Sequence, residues 1–272
     1  MWYSPAPRSA ARACYDEAQR EIKTVVMDAL LFSKVSKRFG NFPALTEVDF
    51  SVVAGEFFAL VGINGAGKTT LLKCLLDFCE ADGGKIEIFG TSHLETRSRE
   101  RLSFLPERFI PPYYLTGKDF LQYMLKLQGL AYESTRVEAM FAALDLDLSA
   151  LALPVRAYSK GMTQKLGLAA CFLADKDLYV LDEPTSGLDP KARARLKARL
   201  KGLHRDGRTV FFTSHTLPDV EEMCGRMAVI HCGRLLYVGT PEALCRKHGA
   251  SSLEQAFLSC IGDTGQEVMT GT

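Results

Sequence analysis

The sequence predicts an α/β fold, in which a βαβ core carries a small antiparallel β-subdomain and an inserted α-helical subdomain. Three observations predict it. Short apolar runs, Leu178-Tyr179-Val180-Leu181, Thr209-Val210-Phe211-Phe212 and Met227-Ala228-Val229-Ile230, are separated by helix-like segments, as fully buried parallel strands are. Nearer the N-terminus, strand-like segments lie between turn residues. From about residue 107 to 175, apolar residues recur at helical spacing. The chain has 272 residues, 47% of them apolar, which permits a sizeable core in one large domain or two small ones.

The elements follow in order. Residues 1–26 hold Pro5, Pro7, Arg8, Arg12, Arg20 and many alanines, with no continuous apolar segment of a signal peptide. Asp16, Glu17 and Glu21 argue against a transit peptide. This stretch reads as a mobile extension, or Met27 as the natural start. Leu31–Val35 and Val48–Val53 read as strands, with Gly40, Asn41 and Pro43 as turn residues between them. Lys85–Phe89, bounded by Gly83-Gly84 and Gly90, alternates as a half-exposed strand does. Together these predict the small antiparallel sheet. In the middle, Thr116 and Asp119 form a capping-box-like pair, and Phe120, Leu121, Met124 and Leu125 share one helical face. Met162, Leu166, Ala169 and Leu173 do the same further on. Met227–Ile230 and Leu235–Val238 flank His231-Cys232-Gly233-Arg234, which reads as a hairpin turn. The end is Gly/Thr-rich and reads as frayed.

The expected boundaries are an extension over 1–28, one domain over 29–262 and a disordered tail over 263–272. Within the domain, 29–106 and 176–240 form the core with the β-subdomain, 107–175 the helical subdomain, and 241–262 a C-terminal helical element.

One stretch carries the strongest chemistry. Gly62-Ile63-Asn64-Gly65-Ala66-Gly67-Lys68-Thr69-Thr70 fits G-x-x-x-x-G-K-[ST] and sits between the apolar run Phe57–Val61 and the helix-like run Leu71–Leu76. Strand, glycine loop and helix N-terminus make a phosphate cradle, in which backbone N–H groups turn inward and the helix end carries partial positive charge. Lys68 can reach terminal phosphates, and Thr69 offers a hydroxyl to Mg²⁺. The fold class is therefore a P-loop NTPase core with the two additions above. Downstream, Leu178–Leu181 ends in Asp182-Glu183. A buried strand delivers such carboxylates to the sheet edge where α/β ligands bind. Asp182 would hold Mg²⁺ directly or through water, and Glu183 would orient and deprotonate an attacking water. Ser159, in Tyr158-Ser159-Lys160-Gly161-Met162-Thr163-Gln164-Lys165, is placed to cap the helix that follows. A helix N-terminus with Ser and Gly can also grip a phosphate.

Composition excludes several classes. A formal charge of +1 makes no electrostatic case for a nucleic-acid partner. The basic stretch Lys191–Lys201 spreads its charge around a helix and reads as solvated surface. No apolar run approaches the roughly 20 residues that span a bilayer, so a chain soluble by itself is expected, one that can dock on a membrane protein. The eight cysteines show no C-x-x-C and read as small buried hydrophobes in a reducing cytosol, not as disulfides or a zinc site. The five histidines lack metal-ligand spacing.

Gly62–Thr70, Ser159–Gln164, Asp182-Glu183, Ser186-Gly187-Leu188-Asp189 and His215 stand in the order of the ATP-binding cassette (ABC) ATPases. The resemblance runs from about Ala29 to Gly239. It implies the ABC ATPase fold, ATP and Mg²⁺ as ligands, and a head-to-tail dimer with a second ABC ATPase subunit. Two ATP molecules would be sandwiched between P-loops (Gly62, Asn64, Gly65, Ala66, Gly67, Lys68, Thr69, Thr70) and opposing signature segments. Phe39 stands where the family stacks an aromatic on adenine, and reads equally as a strand-end core aromatic. Ser159 and Gly161 would touch the γ-phosphate held by the partner, Asp189 would lie at the dimer interface, and His215 would sense the γ-phosphate. Asp189 precedes Pro190 and doubles as a natural N-cap.

Three departures stand out. The signature reads Tyr158-Ser159-Lys160-Gly161-Met162 in place of L-S-G-G-Q, Glu107 replaces a common Gln, and Lys165 replaces a common Arg. Glu107 can still offer an oxygen to Mg²⁺ but adds negative charge and cannot donate a hydrogen bond. The resemblance further implies separate integral membrane permease chains, held at the cytoplasmic face of the membrane. Pro111–Gly117 is a candidate docking segment, and the C-terminal Ser252–Leu258 resembles that of exporter ATPases. Export is the first reading. An importer ATPase, or a non-transport ABC ATPase acting on nucleic acid or ribosomes, are the alternatives.

Overall fold

Two sheets frame the protein in the computed structural model, which describes the backbone of residues 27–267 and the side chains of 27–262. The predicted extension therefore falls almost wholly outside the described residues, as do 268–272. In chain order the strands are β1 (Asp28–Phe39), β2 (Phe42–Val53), β3 (Phe57–Val61), β4 (Gly83–Ile88), β5 (Thr91–Ser92), β6 (Leu102–Leu105), β7 (Leu178–Asp182), β8 (Thr209–Ser214), β9 (Arg226–His231) and β10 (Arg234–Gly239). The helices are α1 (Lys68–Leu75), α2 (Thr96–Arg99), α3 (Gly117–Leu127), α4 (Ser134–Ala143), α5 (Lys160–Leu173), α6 (Pro190–Arg205), α7 (Leu217–Met223), α8 (Pro241–His248) and α9 (Leu253–Glu267).

The antiparallel sheet runs β2-β1-β4-β5, and the larger sheet β10-β9-β3-β8-β7-β6. In the larger sheet all neighbours are parallel except β10, which pairs antiparallel with β9 across the Cys232-Gly233 turn. Every residue of β3, β7 and β8 is buried, which is why these strands read as unbroken apolar runs. Successive side chains leave opposite faces of a strand, and the core divides accordingly. Phe57, Ala59, Val61, Tyr179 and Leu181 pack with the helices α3–α6, while Phe58, Leu60, Leu178 and Val180 pack against β1, β2 and α1. Phe50 links the two sheets, stacked between Phe32 at 4.7 Å and Phe58 at 5.5 Å.

The first two strands are longer than the pattern predicts, and Pro43 lies within β2 and not in the turn. β2 is an edge strand, where a missing N–H costs no ladder bond. Thr116 and Asp119 make the full capping box of α3, and Phe120, Leu121 and Leu125 are buried beneath it. At the other end, α9 continues to Glu267, past the helix limit of 262 expected from composition.

Because β3, β6, β7 and β8 run in one direction, their C-terminal ends share one edge of the sheet. The chain leaves that edge at Gly62, Glu107, Asp182-Glu183 and His215.

Candidate functional site

The loop after β3 has almost no slack. A Cβ on Gly62 would come within 2.5 Å of the Ile230 carbonyl oxygen, so nothing larger than glycine fits. Gly67 adopts φ 112°, in the left-handed region, and caps α1. The loop Ile63–Thr70, with Glu107 and Glu183, lines a cavity of about 270 Å³. An adjoining cleft of about 280 Å³ under Phe78, Phe104 and Pro106 shares Thr69 and Glu107 with it and adds Asp182.

Lys68 is buried at the start of α1. Its Nζ donates to the Gly62 carbonyl at 2.5 Å and lies 3.5 Å from Glu183 Oε1. Thr69 Oγ1 donates to Asp182 Oδ2 at 3.2 Å, and Thr213 Oγ1 donates to Asp182 Oδ1 at 2.5 Å. The Glu183 N–H donates to that same Thr213 hydroxyl at 3.0 Å. Glu183 has φ 48°, a left-handed backbone that non-glycine residues hold only where the surroundings enforce it. Its Oε2 lies 2.9 Å from His215 Nδ1, while its buried Oε1 accepts no hydrogen bond. His215 itself is half exposed.

Burial is the main force on Asp182: desolvation raises its pKa, opposed by the hydroxyls of Thr213 and Thr69 and reinforced by the charges of Glu107 and Glu183. A buried carboxylate beside a hydroxyl and two further acids is a donor set that suits a small, hard, oxygen-seeking cation. Among the described residues no cluster of three His, Cys, Asp or Glu has metal-site geometry by itself, so a cation here would take part of its shell from a ligand or water.

The remaining sequence-predicted residues are spread out. Ser159 N-caps α5, accepting from the Met162 N–H at 3.2 Å, and is exposed. Neither Ser159 nor Gly161 lines the cavity of the P-loop in the same chain. Gly161 instead lies against the Gly187 carbonyl, and Lys160 lies along Gly187. Asp189 caps α6 through the Ala192 N–H at 2.8 Å with Pro190 at the first turn. Phe39 ends β1 with about half its surface (51%) exposed, so its reading as a core aromatic is corrected; the strand runs past the core and the ring is left beside Lys37. Thr213 was missed by sequence reasoning. Its signal was the polar cluster Thr213-Ser214-His215 closing an apolar strand. Gln164, read only as part of the signature segment, is buried and reaches the Pro184 carbonyl at 3.4 Å. Ile110, Tyr113 and Tyr114 are exposed.

The sequence model of the family described as ABC transporter matches residues 45–186. This chain belongs to the ABC transporter family. An uncharacterized ABC transporter ATP-binding protein of Synechocystis sp. is 38% identical over 200 residues, covering 72% of this chain and 56% of the relative. The chain thus spans little more than half the length of that relative. The Nod factor export ATP-binding protein I of Rhizobium etli is 33% identical over 84% of this chain and 73% of its own length. A solved structure described as the ATP-binding subunit of an ABC transporter superposes with a TM-score of 0.79 at 28% identity, covering 85% of this chain and 99% of its own. The two sheets with their helices are the ABC ATPase fold. The chain stands with the ABC transporter ATP-binding proteins, and no helix among its described residues is long and apolar enough to cross a membrane.

Proposed function

We propose that this ABC ATPase binds ATP and Mg²⁺ at the loop Gly62–Thr70 and uses their hydrolysis to drive export through separate permease chains at the cytoplasmic face of the membrane. The observation that carries it is the convergence of Lys68, Asp182, Glu183 and His215 on one strand edge, with Ser159 and Gly161 left outside that cavity.

The chemistry follows from the residues. The backbone N–H groups of the loop and Lys68 hold the phosphates, with Lys68 exchanging its Gly62 and Glu183 contacts for phosphate oxygens. Thr69 and Asp182, with Glu107 nearby, would hold Mg²⁺, which when bound neutralises charge on the phosphates. Glu183 takes the proton of the attacking water, and its neighbour His215, 2.9 Å away, reads the γ-phosphate. Phe39, half exposed, is available to stack on adenine. Ser159 and Gly161 close over the ATP of a second copy, with Asp189 at the contact, so ATP bridges two subunits and hydrolysis releases them.

Export is supported by the Nod factor export relative. The exposed Ile110, Tyr113 and Tyr114 supply an apolar surface of the kind that partners cover. Purification from detergent-solubilised native membranes tests the whole reading. Co-elution of a membrane chain, and a monomer-to-dimer shift with ATP, are expected; a protein that stays monomeric and membrane-free under these conditions overturns it.

A further inference from the structure

We propose that Cys74 and Cys79 form a modification site which hydrogen peroxide converts to a disulfide, and that this bond lowers the affinity of the adjacent P-loop for ATP. The second half rests on the ATP-site reading above; the first does not.

The local chain brings the two sulfurs together. Asp77 has φ 61° just after α1, and the N–H groups of Phe78 and Cys79 both return to the Lys73 carbonyl at 2.8 and 3.2 Å. This reversal lays Cys79 beside the last turn of α1, with its Sγ 3.6 Å from Cys74 Sγ. A disulfide needs about 2.05 Å, so the sulfurs must approach by about 1.5 Å. The two differ in access: Cys74 is buried and Cys79 half-buried. Burial, with the hydrogen bond to Cys79, pushes the Cys74 thiol up to about 12. A reagent from solvent therefore meets Cys79 first, and Cys74 serves as the resolving thiol.

The reaction balances. The Cys79 sulfur attacks one peroxide oxygen, the O–O bond breaks, and Cys79 becomes a sulfenic acid as one water leaves. The Cys74 sulfur attacks the Cys79 sulfur, the S–O bond breaks, and a second water leaves. Two thiols lose two electrons and two protons in all, and one peroxide takes them up.

The consequence comes from α1, which carries Lys68 and Thr69 at one end and Cys74 near the other. Drawing Cys74 toward Cys79 pulls on a helix of eight residues. The loop at its head is closely packed, Gly62 against the Ile230 carbonyl and Gly67 against that of Ala44, with no room for a side chain at either. Displacement is passed to the phosphate cradle.

Both cysteines fall in one tryptic peptide, Cys74–Lys85, so the mass of that peptide reads the bond. After peroxide it should lose two hydrogens, and ATP affinity measured by titration calorimetry should fall at least about fivefold. Dithiothreitol should restore both. Cys79→Ser should bind ATP as the wild type does and keep its affinity after peroxide. A peptide of unchanged mass, a disulfide with unchanged affinity, or an equal loss in Cys79→Ser overturns the proposal. If the reduced wild type binds no ATP, the ATP-site reading fails and the affinity claim with it, while the peptide mass still decides the disulfide.

Discussion

Glu183 Oε2 and His215 Nδ1 meet at 2.9 Å across the ends of two neighbouring parallel strands, β7 and β8. Neither could reach the other from its own loop alone. The left-handed backbone at Glu183 and its amide bond to Thr213 aim the carboxylate along the sheet edge toward both His215 and Lys68. Replacing Glu183 by Gln keeps size and removes the base. Turnover should fall about 10²–10⁴-fold while ATP still binds and holds a dimer. Phosphate-release kinetics and light scattering check this, and near-normal turnover would remove Glu183 from the chemistry.

Lys68→Ala acts on binding. A charge-assisted hydrogen bond is worth about 1.5–3 kcal/mol, which corresponds to roughly 10–150-fold in affinity. Calorimetric titration with ATP and Mg²⁺ should show a loss in that range. Unaltered affinity would mean that the ammonium does not touch the nucleotide.

Asp182 links function to stability. Its pKa is raised above the ordinary 3.8, so the folded chain holds that proton more tightly than the unfolded chain does. The stability this contributes is present below pH 3.8 and is lost as pH rises through the folded value. At neutral pH the ionised group is a burden. Asp182→Asn should therefore raise the thermal midpoint at pH 7 without Mg²⁺, by a margin that shrinks on acidification. The same variant should lose the Mg²⁺-dependent part of ATP stabilisation. Thermal scans across pH test both, and a lower midpoint at pH 7 would contradict the sign.

Thr213→Val removes one hydroxyl and two hydrogen bonds at little change in shape. The Glu183 amide and one Asp182 oxygen lose their partner, and each unsatisfied buried group costs about 1–3 kcal/mol. The thermal midpoint should drop, and turnover should fall more than ATP affinity, because Thr213 orients the carboxylates and does not face the loop. A drop in affinity alone would refute this role.

Much of the site was legible because its parts are local. The P-loop is contiguous, and Asp182-Glu183 and His215 each close an apolar run. The longer β1 and β2 were not legible, since Pro43 breaks a strand pattern unless the strand is known to be an edge. Phe39 could not be assigned from sequence either, because exposure at a strand end depends on where the neighbouring sheet stops. Thr213 was hidden by its setting: a β-branched residue in a buried strand looks like packing until its hydroxyl is seen between two carboxylate residues.

By itself the sequence determined the two-sheet α/β class, the phosphate loop and the two acids, because period, glycine spacing and adjacency are properties of neighbours along the chain. Tertiary structure alone decided that four parallel strand ends converge and that Thr213 joins Asp182 to Glu183. Thr213 stands 31 positions from Asp182 and 30 from Glu183, a separation that sheet order and burial close. The sulfur contact of Cys74 and Cys79 is the local counterpart: five residues apart in sequence, it still needed the left-handed turn at Asp77 to close.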